Sequence, residues 1–319
     1  MYWLILLLVS YVLQATGVAS NVLLIRMVVC KSLFDPYCRI GLGIISVSIM
    51  GYLASNGAQT TICLATGSMF KNSSCVSKVL YISMNFLHTF SAILLFTSQD
   101  AFTIERIVSI RHPQFHGSAR FRIVFSAVLA FVFFFSLTLA YFNDGGNPIF
   151  SQFYGITTQV LVFSNLPLML YAQRYSRQMY QADVSNYNLA RKHQLFNSYE
   201  ITRSFVFALS INYIIQIFAV LLGIMFLKGH FFFPEGETYK MEFIIQTLWN
   251  VNHTIFPWSV ILFHRGQRDK LVDVWKSIFP RSRLAKSRLT SLDGRQIVRN
   301  PTQNDYFQQM KVAWTEQKF

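Results

Sequence analysis

The chain has 319 residues, 53% hydrophobic and only 13% charged, with 31 phenylalanines and a mean hydropathy of +0.36. Soluble globular chains carry roughly 25% charged residues, so this composition excludes a water-soluble fold and makes lipid the solvent. The net charge is +14, but the cations sit in short segments between apolar runs, which points to membrane topology rather than to nucleic acid.

A spanning helix needs about 20 apolar residues to cross a hydrocarbon core ~30 Å thick. Windows without Asp, Glu, Lys or Arg occur in chain order at Tyr2–Ile25, Ile40–Cys63, Val79–Gln99, Ile123–Tyr141, within Gly145–Gln173 (centred on Ile156–Ala172), Ser204–Leu227 and Phe243–Phe263. Backbone groups in lipid must pair internally, which makes these windows helices. The first lacks a basic leader and a cleavage site, so it reads as a signal anchor that stays. Pro167 and Pro257 fall inside the fifth and seventh windows and predict kinks there. The sequence therefore predicts an all-α membrane protein, a seven-transmembrane helix bundle over residues 1–264.

After the seventh window, Leu271, Val274, Trp275, Ile278 and Phe279 recur at helical spacing, predicting a short amphipathic helix over residues 265–279 lying on the membrane surface. Residues 280–319 read as a basic, disordered cytoplasmic tail. Lys and Arg in short loops stay in the cytoplasm. With the N-terminus extracellular, the short inner segments hold twelve such residues and the outer segments four, namely Lys71, Lys78, Lys228 and Lys240.

Ionisable and polar residues in or near the spans are the candidate site. Glu105 and Arg106 stand at the inner end of the third span, and Glu200 precedes the sixth on the same side. They predict a switch in which Arg106 pairs with Glu105 or Glu200 at rest and activation breaks the pair; the same residues also suit plain interface anchoring. Asp100 is expected to face the bundle interior, because facing lipid is costly. Asn85 and His88 in the third span, Asn212, Tyr213 and Gln216 in the sixth, and Trp249 and Asn250 in the seventh are candidates for a ligand pocket or for interhelical hydrogen-bond glue. Asn72-Ser73-Ser74 is a glycosylation sequon in the first outer loop. Cys63 and Cys75 both lie near the outer face, where either a local disulfide or free thiols would fit. No catalytic constellation, metal-site spacing or phosphate loop occurs, so no enzyme activity, cofactor or metal is predicted.

Seven spans, a Glu-Arg pair ending the third and a helix after the seventh resemble a G protein-coupled receptor. The rhodopsin-like signatures are missing: no Trp in the fourth span, no Pro in the sixth, no Asp in the second, no Asn-Pro-x-x-Tyr in the seventh and no Cys in the second outer loop. Thr103-Ile104-Glu105-Arg106-Ile107-Val108-Ser109 is similar to the Ile-Glu-Arg-x-x-Ala stretch of nematode serpentine chemoreceptors of the Sra superfamily, with Ser109 in place of Ala. Leu189-Ala190-Arg191-Lys192-His193-Gln194 resembles that group's Leu-Ser-x-Arg-Tyr-Gln stretch, whose following Glu-Asn is absent here. The resemblance implies a chemosensory receptor in the plasma membrane of sensory cells or their cilia. Its partners would be a small-molecule odorant or pheromone-like ligand, a heterotrimeric G protein and the lipid bilayer, with no nucleic acid. A multi-pass ligand-gated channel or a small-molecule transporter is the alternative.

Overall fold

The structure is a computed structural model and describes residues 2–29, 35–68, 70–71, 73–144, 148–182, 189–227 and 238–278. The glycosylation candidate Asn72, as well as Phe279 and the tail 280–319, lie outside the described residues. The chain divides into two units, Met1–His264 and Arg265–Phe319.

The first unit is built of helices: α1 (Tyr2–Val29), α2 (Pro36–Ala65), α3 (Ser73–Val76), α4 (Val79–Arg111), α5 (Pro113–His116), α6 (Ala119–Asp144), α7 (Pro148–Ala182), α8 (Leu189–Leu227) and α9 (Thr238–Phe263). In the second unit, α10 (Arg265–Ile278) is a single 14-residue helix. Among the described residues no strand occurs.

Each long helix packs on the next, and α9 returns to α1 to close the ring. Helix α4 also touches α7 and α8, so it runs through the middle of the bundle. Six helices (α1, α2, α4, α6, α7 and α8) are long and apolar enough to cross a membrane. The seventh, α9, has 26 residues and packs against α1, α2 and α8. Lys240 and Glu242 open it, and Gln246, Asn250, Asn252 and His253 dilute its apolar content. Hydropathy alone does not qualify it as a span.

The distribution of side chains is that of a protein in lipid. Phe131, Phe134 and Ile214 are 68%, 64% and 66% exposed on the outside, while Asn21, Ser46, Asn56 and Asn250 are buried. Apolar packing has no driving force against lipid tails, so close backbone approach and interhelical hydrogen bonds hold such bundles. Both are present. Along the α1–α9 seam, Thr254 Oγ1 donates to the Leu13 carbonyl at 2.9 Å, and Asn21 Nδ2 reaches the His253 carbonyl at 3.4 Å. Gly17 makes this approach possible, because a Cβ there would sit 2.6 Å from Leu53 Cδ1 and 2.9 Å from Thr254 Oγ1. We expect Gly17→Val to lower the thermal unfolding midpoint in detergent. Overpacking costs roughly 1–3 kcal/mol, which exceeds the gain of about 1 kcal/mol at most from removing a helical glycine.

The helices run well past the charge-free windows. Helix α4 continues twelve residues beyond Gln99, and α8 begins fifteen residues before Ser204. A charge-free window measures the hydrocarbon slab, and a helix need not stop where the slab does. Pro167 and Pro257 lie inside continuous α7 and α9.

Candidate functional site

Cys63, near the end of α2, and Cys75, in the α3 turn, are joined as a disulfide that clips this loop to the bundle. Asp35 and Pro36 form the start of α2. Asp35 is its N-cap, with Oδ1 accepting from the Cys38 backbone N–H at 2.9 Å, and Pro36 fills the first turn, where no amide donor is needed. The second carboxylate oxygen of Asp35 is therefore free to face α4. There it accepts from Arg106 Nη2 at 2.7 Å.

Arg106 also donates through Nε to Glu105 Oε2 at 2.5 Å, and its Nη2 contacts Glu105 Oε1. Neighbouring helical residues do not normally face each other; the long guanidinium arm folds back to reach. His116, brought under the bundle by the α5 turn, places Nε2 2.7 Å from Glu105 Oε1. Arg106 and Glu105 side chains are each 1% exposed and Asp35 is 31% exposed. Tyr37 and Phe121 wall the cluster, with ring centres 5.0 and 4.7 Å from that of His116. Phe102 lies under the guanidinium at 5.6 Å. The ligating atoms of Asp35, Glu105 and His116 fall within 4.8 Å of one another. A metal could use that spacing, but Arg106 supplies the cation between the two carboxylates.

Of the two partners expected for Arg106, Glu105 is present and Glu200 is not. Arg106 is held by Glu105 and Asp35, not by Glu200, which is buried and lies 3.8 Å from Arg203 one turn along its own helix. Asp35 and His116 were not anticipated. The Asp35-Pro36 pair is a helix-start signature in the sequence, but nothing in the sequence says which residue shares the cap's carboxylate. Asp100 does face inward, towards Ser164 Oγ on α7 at 3.4 Å.

Burial works against the Asp35 carboxylate, but the Arg106 guanidinium and the Cys38 N–H outweigh it and hold its pKa below the usual 3.8. A depressed carboxylate pKa contributes stability above the unfolded value, and that contribution is lost as pH falls through the folded one. We expect the difference in unfolding midpoint between wild type and Asp35→Asn to stay constant from neutral pH to about pH 5 and to vanish at lower pH.

Farther along α4 a cavity of about 270 Å³ lies between α2, α4, α7, α8 and α9. This is at the small end of ligand pockets, roughly 300–1,000 Å³. Tyr52, His88, Gln159, Gln216, Trp249 and His253 line it. Gln216 Nε2 donates to Gln159 Oε1 at 2.6 Å, while Gln216 Oε1 and His88 Nδ1 are buried without a hydrogen-bond partner. The Tyr52 ring centre is 4.1 Å from that of His88 and 4.6 Å from that of His253. The cavity thus offers aromatic faces and two open polar valences.

Of the predicted pocket residues, His88, Gln216 and Trp249 line this cavity. The other four lie in helix–helix contacts. Asn250 accepts from Asn56 Nδ2 at 3.1 Å and donates to Ser10 Oγ at 3.0 Å. Asn212 accepts from Asn252 at 2.9 Å, Asn85 accepts from Gln59 at 3.2 Å, and Tyr213 packs edge-on to Phe163 at 5.1 Å. Gln159, on α7, also lines the cavity, and a lone glutamine in an apolar window carries no sign of which helix it faces.

The fold and these two features define a multi-pass helical membrane protein with a closed ion-pair cluster at one end of its central helix and a polar cavity farther along it. No protein-family model matches the chain, and no curated protein matches it.

Proposed function

We propose that this chain is a seven-span chemosensory receptor that binds a small molecule from outside and signals to a heterotrimeric G protein inside. In this reading α9 is the seventh span, the N-terminus is extracellular and the C-terminus cytoplasmic. The amphipathic α10 lies on the inner leaflet of the plasma membrane, in sensory cells or their cilia. The loop cations support that orientation, and so does the Cys63–Cys75 disulfide, since disulfides persist on the oxidising side.

The observation that carries the proposal is the continuity of α4. His88 at the cavity and Arg106 in the ion cluster lie eighteen residues apart on one helix, a rise of about 27 Å. A ligand seated against His88, Gln216 and Trp249 touches three helices at once. Displacing α8 relative to α4 would open the inner end and release Arg106 to a G protein, which would also engage residues 107–122 and the base of α8.

The test is a panel of small odorants applied to cells expressing the full chain, read by calcium or cAMP. The proposal expects responses that are lost with G-protein blockade and weakened by Gln216→Leu. Agonist currents that survive blockade would make the chain a channel, and uptake of the agonist without signalling would make it a transporter. An unmodified Asn72, with glycosylation tags accepted in the inner loops, would overturn the orientation and the receptor reading together.

A further inference from the structure

On the outer surface of the bundle, α2, α4 and α6 enclose a groove of about 660 Å³. Gly43, Val47, Leu94, Leu129 and Phe133 line its apolar length, and Arg39 stands at one end. Val47 and Phe133 are 55% and 46% exposed, so the groove opens sideways, towards whatever surrounds the spans. Arg39 belongs to the first turn of α2, at the bundle end where α4 finishes and α6 begins, near the exposed Arg111, Arg120 and Arg122. Its Nε is buried and finds no acceptor among the described residues.

A buried guanidinium N–H without an acceptor is costly. A phosphate oxygen entering the end of the groove would supply one. We infer that this groove is a binding site for an anionic phospholipid of the surrounding bilayer, its phosphate on Arg39 and an acyl chain along Gly43 and Leu94. The occupant follows from the solvent. An acyl chain moving from bilayer to groove stays among apolar groups, so the hydrophobic effect contributes little and cannot select one lipid over another. Selection must come from the headgroup, and a planar guanidinium favours phosphate oxygens. Basic pockets between spanning helices recognise anionic headgroups by the same physics. Gly43 leaves room for the chain, since a Cβ there would meet nothing within 4 Å. The inference rests on the chain lying in a bilayer and is independent of the receptor reading.

The test is native mass spectrometry of the full chain in detergent with equimolar palmitoyl-oleoyl phosphatidylglycerol and phosphatidylcholine. Wild type should retain phosphatidylglycerol over phosphatidylcholine by about fivefold. Arg39→Gln, which breaks no protein hydrogen bond at Nε, should bring that ratio to about one. Gly43→Leu fills the groove from its open side and should reduce retention of both lipids. Equal retention by wild type overturns the site without any variant. An unchanged ratio in Arg39→Gln, or an equal fall in Arg122→Gln, would show diffuse surface attraction and overturn it as well. So would undiminished retention in Gly43→Leu.

Discussion

Replacing Arg106 by methionine should destabilise the bundle more than any other single change at its basic end, by about 3–5 kcal/mol. The guanidinium and the Glu105 carboxylate are almost fully shielded. Deleting the cation leaves a buried carboxylate with only His116 Nε2 beside it. The loss is measured as the shift in unfolding midpoint, or in mixed-micelle denaturation, for protein carrying an intact Cys63–Cys75 bridge. A double variant, Arg106→Met with Glu105→Gln, should recover most of the loss, because removing both charges ends the desolvation penalty that the single variant exposes. Arg106→Lys should fall between, since an ammonium cannot fork across Glu105 and Asp35 together. A single variant as stable as wild type would mean that the cluster is solvated and that no lock exists.

If the chain is the receptor proposed above, Asp35→Asn should have the largest effect on its signalling. The amide keeps an oxygen to cap α2 at the Cys38 N–H, so the helix start survives. The other position becomes an NH2 group, which like Arg106 Nη2 can only donate, so the charge-assisted bond to Arg106 is lost, at a cost of roughly 1–2 kcal/mol in the closed state for this partly exposed pair. If the open state lacks the Asp35–Arg106 contact, that difference raises the open population about 5–30-fold. Basal G-protein output in the absence of ligand reads this directly. Glu200→Gln is the comparison, because its carboxylate lies 3.8 Å from Arg203 on its own helix and not on Arg106. Equal basal output from Asp35→Asn and wild type would remove the cluster from the switch while leaving its structural role intact. A larger rise from Glu200→Gln would restore the pairing that the resting structure does not contain.

Much of this molecule was legible in the residue order because the bilayer imposes a one-dimensional rule. A span must be apolar over a set length, so six helices can be located from composition alone, and α9 is recognisable as a long helix although its polar residues dilute the signal. The pairing of Glu105 with Arg106 was within reach for the same local reason. What the order could not settle is everything that depends on which helix faces which. Asn85, Asn212, Asn250, His88 and Gln216 are alike in sequence, as polar residues in apolar runs. Only packing separates the interhelical bonds of the three asparagines from the open valences of His88 and Gln216. Asp35 lies 71 residues from Arg106, and its role as shared cap and counter-ion exists only because α2 begins beside the end of α4. His116 joins them because a proline-started turn after α4 folds back beneath it. The hydropathy of the chain determined that helices cross lipid, whereas the choice of Asp35 over Glu200 and the separation of glue from cavity were decided by tertiary contacts. Hydrogen bonds and ion pairs act over about 3 Å, a scale on which distance along the chain carries no information.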